Sequence, residues 1–222
     1  MPAMSKDIYT SVIKKPWGKE HCIYRGDDLS IWLLQINPDK KTSLHCHPRK
    51  KTGLILLNKT ARIKLLEREF ELSGLDKINL RNQQFHQTHN ISDEPIFIVE
   101  VETPDNKTDL IRIDDDYGRA GKEFEDETEW DSDLTDLFIV EPNKVNVFKN
   151  WNFEITNFSK IVNNSNLEDN SMIMLLSQNA FLSDGGHGLC DYGDVLNYKT
   201  VKFLVKQFNP VEDAKCILLW KE

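Results

Sequence analysis

An all-β fold, arranged as two closed barrels in tandem, is predicted by three observations on this chain of 222 residues. Apolar runs are short, branched and cut by turn residues. A set of apolar and turn positions recurs at a spacing of 119 residues, and His45 and His47 stand two apart in a stretch that reads as a strand. Ile31-Trp32-Leu33-Leu34-Gln35-Ile36, Leu54-Ile55-Leu56-Leu57 and Ala61-Arg62-Ile63-Lys64-Leu65 are the first such runs. Their length and composition suit strands, so any helices should be short.

The repeat sets the domain organisation. A shift of 119 brings Trp32 onto Trp151, Ile36 onto Ile155, Leu54-Ile55-Leu56-Leu57 onto Ile173-Met174-Leu175-Leu176, Gly74 onto Gly193, and Phe97-Ile98-Val99 onto Cys216-Ile217-Leu218. Separated matches of this kind point to duplication of one β domain. The expected division is a first domain over residues 1–121, an acidic linker over 122–137 and a second copy over 138–222. The same shift places His45 on Asn164, His47 on Asn166 and His86 on Val205. The second copy therefore lacks the histidines, and packing, subunit contact or a lid is the role left to it.

The net charge of −8 is unevenly spread. Residues 114–136 hold eleven acidic against two basic side chains, whereas residues 1–113 hold eighteen basic and fifteen acidic. An acidic, solvated connecting segment thus sets the overall charge. Nucleic-acid binding is disfavoured, because no basic stripe with interleaved aromatics is present. No apolar run approaches the length of a membrane span, and the first residues lack a secretory h-region, so a cytoplasmic protein is expected. Cys22, Cys46, Cys190 and Cys216 are scattered and form no CxxC pair, which fits reduced thiols.

Histidines at i and i+2 on a strand project from one face. That is a metal-ligand spacing, with Cys46 turned to the opposite face, and His86 arrives on a neighbouring strand as a third corner. Alternating surface histidines would give the same pair; the third histidine and the barrel pattern favour a metal site. His89, three residues after His86, has a spacing that suits a helix better, and His21 and His187 read as ordinary surface or loop residues. Arg49, Lys50 and Lys51 follow the pair, either as an anion-attracting cluster or as an exposed charged turn. Glu100 and Glu102 share a strand face that points either inward or, more in keeping with two carboxylates, to solvent.

Several stretches together resemble the cupin superfamily, and within it the C-terminal isomerase domain of bifunctional phosphomannose isomerase/mannose-1-phosphate guanylyltransferases. These are Lys15-Pro16-Trp17-Gly18-Lys19-Glu20, Ser43-Leu44-His45-Cys46-His47, Phe85-His86 and the closing Asp114-Asp115-Asp116-Tyr117-Gly118-Arg119. The resemblance spans about residues 12–121 and contains no nucleotidyltransferase domain. It implies a double-stranded β-helix, or jelly-roll barrel, with the second half as a degenerate copy, hence a bicupin. It also implies a divalent metal ion (zinc, iron, manganese or nickel) on His45, His47 and His86. That family presents Gln, His, Glu and His to the metal; here His45 stands at the Gln position and Thr52 at the Glu position.

The activity implied is that of a mannose-6-phosphate isomerase-like aldose–ketose isomerase in carbohydrate or surface-polysaccharide precursor metabolism. Its partner would be a small anionic sugar, a sugar phosphate or nucleotide sugar, with Arg119 as the catalytic and substrate-binding cation, helped by Arg49 and Lys50. Oligomeric state stays open, a homodimer being one candidate. Two other classes remain: a three-histidine iron-dependent dioxygenase, favoured by the ligand set, and a non-catalytic sugar-binding cupin, favoured by the absent Glu.

Overall fold

The computed structural model describes residues 8–122, 130–131 and 137–221. Its contacts divide the chain into two compact units, 1–137 and 138–222. Most of the acidic linker expected over 122–137 falls outside the described residues; within it Trp130–Asp131 pair with Val12 and Ile13.

The first unit contains β1 (Val12–Lys15), β2 (Gly18–Arg25), β3 (Ser30–Ile36), β4 (Leu44–Cys46), β5 (Lys51–Leu56), β6 (Thr60–Lys64), β7 (Glu69–Ser73), β8 (Lys77–Leu80), β9 (Gln87–Asn90), β10 (Ile96–Thr103), β11 (Ile111–Asp114) and β12 (Trp130–Asp131). A seven-stranded sheet runs β12-β1-β2-β3-β10-β5-β8, opposed by a three-stranded sheet β7-β6-β9 and a two-stranded β11-β4 ribbon. Every pairing is antiparallel. This is the jelly-roll barrel, in which two sheets close over one core. Trp32, Leu34, Leu54, Leu56, Ala61, Ile63, Ile96 and Ile98 pack in that core. The alternation of β10 then sends Glu100 and Glu102 to the same face as Ile96 and Ile98, directly into the barrel.

The β1–β2 hairpin shows why Pro16-Trp17-Gly18 is fixed. Lys15 pairs with Gly18, leaving Pro16 and Trp17 as the loop, and Trp17 turns into the core. Gly18 has φ of 152°, and a Cβ there would lie 1.9 Å from the Gln35 carbonyl oxygen. No side chain fits at that approach.

The second unit contains β13 (Val145–Phe148), β14 (Trp151–Asn157), α1 (Phe158–Val162), β15 (Met172–Leu175), β16 (Phe181–Leu182), β17 (Gly188–Leu189), β18 (Val195–Asn197), α2 (Tyr198–Leu204), β19 (Asn209–Pro210) and β20 (Lys215–Lys221). Its sheets run β13-β14-β20-β15-β18 and β17-β16-β19, the orders of β2-β3-β10-β5-β8 and β7-β6-β9 in the first. One turn is reproduced bond for bond. The Ser73 N–H donates to the Asp76 carboxylate (2.7 Å) and the Leu56 N–H to the Asp76 carbonyl (3.0 Å); the Asp191 N–H donates to the Asp194 carboxylate (2.7 Å) and the Leu175 N–H to the Asp194 carbonyl (3.0 Å). Leu75 and Gly193 take the same positive φ there, 80° and 73°.

The residue register of the repeat needs correction. Leu54 and Leu56 correspond to Ile173 and Leu175, all inward. Trp32 and Trp151 do not correspond: Trp32 lies in the barrel core, while Trp151 shares a strand face with Phe153 and Ile155, the face opposite the Thr156, Cys216 and Leu175 side. On β3 both faces carry large apolar residues, whereas on β14 only the Trp151 face does, so a matching Trp does not fix which face is inward. Among the described residues the first unit has no counterpart of α1 or α2. Phe158 and Ile161 on α1 fill the core against Phe181, and Asn197 caps α2, its side chain accepting the Thr200 N–H at 2.9 Å. α1 occupies the chain position that β4 holds in the first unit, and among the described residues the second unit has no counterpart of the β4–β11 ribbon.

Candidate metal centre and its pocket

Three histidines meet inside the first unit because two local ladders bring them together. β4 pairs with β11, placing Arg112 opposite His45, and on its other side His45 exchanges both backbone hydrogen bonds with His86, at 3.0 and 2.8 Å. His47 follows β4 on the same face. Ring centroids lie 4.4 Å (His45–His86), 5.1 Å (His45–His47) and 5.5 Å (His47–His86) apart, and one nitrogen from each ring falls within 4.8 Å of the others. Cys46 is buried on the other face and does not line the pocket.

Backbone carbonyls decide which nitrogens face inward. The Nδ1–H of His45 donates to the Ser43 carbonyl (2.8 Å), that of His47 to the Asp109 carbonyl (2.7 Å) and that of His86 to the Gln84 carbonyl (3.0 Å). A carbonyl can only accept, so Nδ1 carries the proton and Nε2 keeps its lone pair. Nε2 of His47 and of His86 is buried with no hydrogen-bond partner. Buried lone pairs left unmatched in this way are what a metal ion satisfies, and such carbonyl contacts orient metal-binding imidazoles. The residues fit a divalent ion.

Burial holds His45 and His47 well below the usual imidazole range and His86 down to about 4, with the neighbouring imidazoles and Lys50 adding to the effect. All three are neutral near pH 7, the state a metal requires. Acid acts on the fold through the same groups. A folded-state value below the unfolded 6.5 means that the unfolded chain binds more protons, so stability is complete above pH 6.5 and is lost as pH falls towards 4. His86 alone accounts for about 3 kcal/mol across that window. Thermal melts of metal-free protein should therefore drop between pH 6.5 and 4, and His86→Gln should flatten part of that drop; equal slopes in both proteins would show that the imidazole is not buried neutral.

The histidines line a pocket that opens to solvent. Five cationic side chains (Lys15, Lys50, Lys107, Arg112 and Arg119) share its wall with three carboxyl groups, Glu20, Glu100 and Glu102. Lys50 pairs with Glu102 at 2.8 Å, both almost fully buried. Lys107 lies 3.3 Å from Glu20 and 3.7 Å from the Trp32 ring centroid. Burial and the Glu102 charge push Glu100 upward, to about 8, whereas Lys107 and Lys50 outweigh burial and hold Glu102 ionised. The two carboxylates face the barrel interior, which corrects the solvent-facing reading.

Lys50 and Arg119 both reach the pocket wall; Arg49 does not. Its side chain is exposed, and its backbone N–H, with that of Lys50, donates to the Asp109 carboxylate at 2.9 Å. Arg119 lies against Asp115, which accepts from Nη2 at 2.6 Å and Nε at 3.1 Å. Tyr117 and Gly118 form the turn that aims it. His21 is buried in β2 rather than on the surface, and His89 lies 3.4 Å from Asp39, outside the pocket. Sequence reasoning missed Lys107, Glu20 and Arg112; only the alternation of β11 about Arg112, with exposed Ile111 and Ile113 on either side, carried a signal.

A jelly-roll barrel with histidines from adjoining strands converging inside it defines a cupin. The chain belongs to the mannose-6-phosphate isomerase C-terminal family, whose model matches residues 4–115. Over 112 residues, half of the chain, it is 22% identical to the alginate biosynthesis protein AlgA of Pseudomonas aeruginosa, and that stretch spans 23% of the relative's length. Among solved structures it is similar to a sugar phosphate isomerase of the cupin superfamily from Silicibacter pomeroyi (18% identity, 40% of this chain and 59% of that one, TM-score 0.37) and to KdgF from Halomonas sp. (14% identity, 42% and 88%, TM-score 0.40). Among the described residues no helix is long and apolar enough to cross a membrane.

Proposed function

We propose that the chain is a metal-dependent, mannose-6-phosphate isomerase-like enzyme that moves a proton between neighbouring carbons of an open-chain anionic sugar, in carbohydrate or surface-polysaccharide precursor metabolism. One observation carries the reading: three lone-pair imidazoles, a desolvated carboxyl group and an excess of cationic side chains meet in a single pocket. A divalent ion held by His45, His47 and His86 would polarise the sugar carbonyl and the adjacent hydroxyl.

The remaining work falls to the chain's own side chains. Glu100, raised towards neutrality by burial, takes a proton from C2 through its carboxylate and returns it at C1. Lys50 and Lys107 keep the neighbouring Glu102 anionic, so only one of the two carboxyl groups exchanges protons near pH 7. Arg112 and Arg119 present guanidinium groups to the anionic end of the substrate, a geometry suited to phosphate oxygens. Trp17, Leu34, Leu54 and Ile98 make the apolar part of the wall.

Metal-loaded protein should exchange the C2 proton of mannose 6-phosphate, or a C1 proton of fructose 6-phosphate, in deuterated water. No exchange with any hexose phosphate would sink the isomerase reading. Oxygen uptake in that assay would put the three-histidine dioxygenase in its place, and binding without either reaction would put the sugar-binding cupin there. Arg119→Ala should weaken sugar-phosphate binding ten- to a hundredfold, about 1.5–3 kcal/mol, and leave binding of the unphosphorylated sugar nearly unchanged. Equal losses for both ligands in calorimetry would remove Arg119 as the anion contact.

A further inference from the structure

We propose that Glu102, reaching in from β10, is the carboxylate ligand of the three-histidine centre, and that Thr52 marks the place on β5 which this ligand has left for the neighbouring strand. The inference rests on the reading of the histidines as a metal site and gives that site a fourth protein ligand.

Position comes first. Glu102 and Thr52 are directly opposite one another in the β10–β5 ladder. Residues so paired have Cβ atoms about 4.5–5.5 Å apart and share a face. A carboxylate carried at either position thus reaches into the same part of the barrel. The Thr52 hydroxyl is buried there without a hydrogen-bond partner, and threonine is too short to reach where a glutamate would.

The oxygens of Glu102 are unequal. Oε1 accepts from Lys50 Nζ at 2.8 Å, while Oε2 is buried and accepts no hydrogen bond. A carboxylate pinned by one oxygen with the other bare is arranged as a monodentate ligand. Ligand atoms of His47, Glu100 and Glu102 lie within 4.8 Å of one another, and His47 is also a corner of the three-histidine set. The two clusters are neighbours that share His47.

Charge gives the reason. Three neutral imidazoles would leave a divalent ion with its full charge in a buried site, whose desolvation is costly. One carboxylate halves that charge. Glu102 suits the role better than Glu100, because Lys50 fixes its carboxylate and leaves one oxygen bare.

The test uses the full chain, stripped of metal and titrated with Mn2+ by calorimetry and with Co2+ by visible absorption. Glu102→Gln should weaken Mn2+ binding by about a hundredfold and shift the Co2+ bands, while Glu100→Gln leaves both close to the parent. Glu102→Gln combined with Thr52→Glu should regain most of the affinity, which separates a lost ligand from a damaged barrel. In the unmutated chain, Mn2+ addition should shift a carboxylate stretch in the infrared difference spectrum, and this signal does not depend on how any variant folds. Parental affinity and bands in Glu102→Gln, no recovery in a folded double variant, or no carboxylate shift in the parent would each overturn the proposal. Turnover is not read, so an inactive chain that binds Mn2+ through Glu102 would sink the isomerase and leave this ligand standing.

Discussion

His47→Ala and His86→Ala will each bind a first-row divalent ion on the order of a hundredfold more weakly than the parent, or worse. Loss of an outer partner of a metal ligand typically costs ten- to a hundredfold, and these substitutions remove a ligand atom itself. Both Nε2 atoms are buried without a hydrogen-bond partner, so the vacated space offers the ion nothing in exchange. Metal content after purification without chelators, with dissociation constants for Zn2+ or Mn2+, is the measurement. His89→Ala supplies the control, since His89 is outside the pocket. Unchanged metal content in both variants would make the histidines ordinary barrel residues. Metal-free melts separate the two effects: truncating His47 also frees the Asp109 carbonyl, a loss of about 1 kcal/mol that does not depend on the ion.

Glu100→Gln should cut C2 proton exchange by roughly 10²–10⁴-fold, the contribution of a positioned acid–base group. Glutamine keeps the size and most of the polarity of the side chain but cannot take up and return a proton. The substitution also relieves repulsion between two adjacent buried carboxyl groups, so the fold should be as stable as the parent or slightly more so. Exchange at the parental rate in a well-folded Glu100→Gln variant would assign the proton transfer elsewhere in the pocket. A fall in exchange together with a lower melting temperature would point instead to a structural role.

What was legible in the sequence follows from the range over which each signal acts. The His45/His47 pair could be read because strand alternation is local, and the Asp115-Tyr117-Gly118-Arg119 turn because its hydrogen bonds close within four residues. The charged network could not. Lys107 meets Glu20 across eighty-seven positions, and nothing near either residue foretells the other. Alternation in β10 showed that Glu100 and Glu102 share a face, but two carboxylates in a barrel contradict the usual rule that charges stay outside. The lysines that offset them lie on other segments. Arg49 and Lys50 are neighbours of like charge, so composition treats them alike, whereas the backbone sends one to solvent and the other against Glu102.

The short helix α1 bears on what the second unit can hold. Asn164 and Asn166, aligned with His45 and His47, sit in the turn after α1, where the Asn164 N–H bonds the Ile161 carbonyl and the Asn166 N–H the Asn164 side chain. A turn has no alternating face, so histidines placed there would not converge as the strand-borne pair does. What separates the two units is a missing wall as much as a missing ligand set. Histidines substituted into this turn would therefore not rebuild a converging three-imidazole cluster until the helix had been exchanged for a strand.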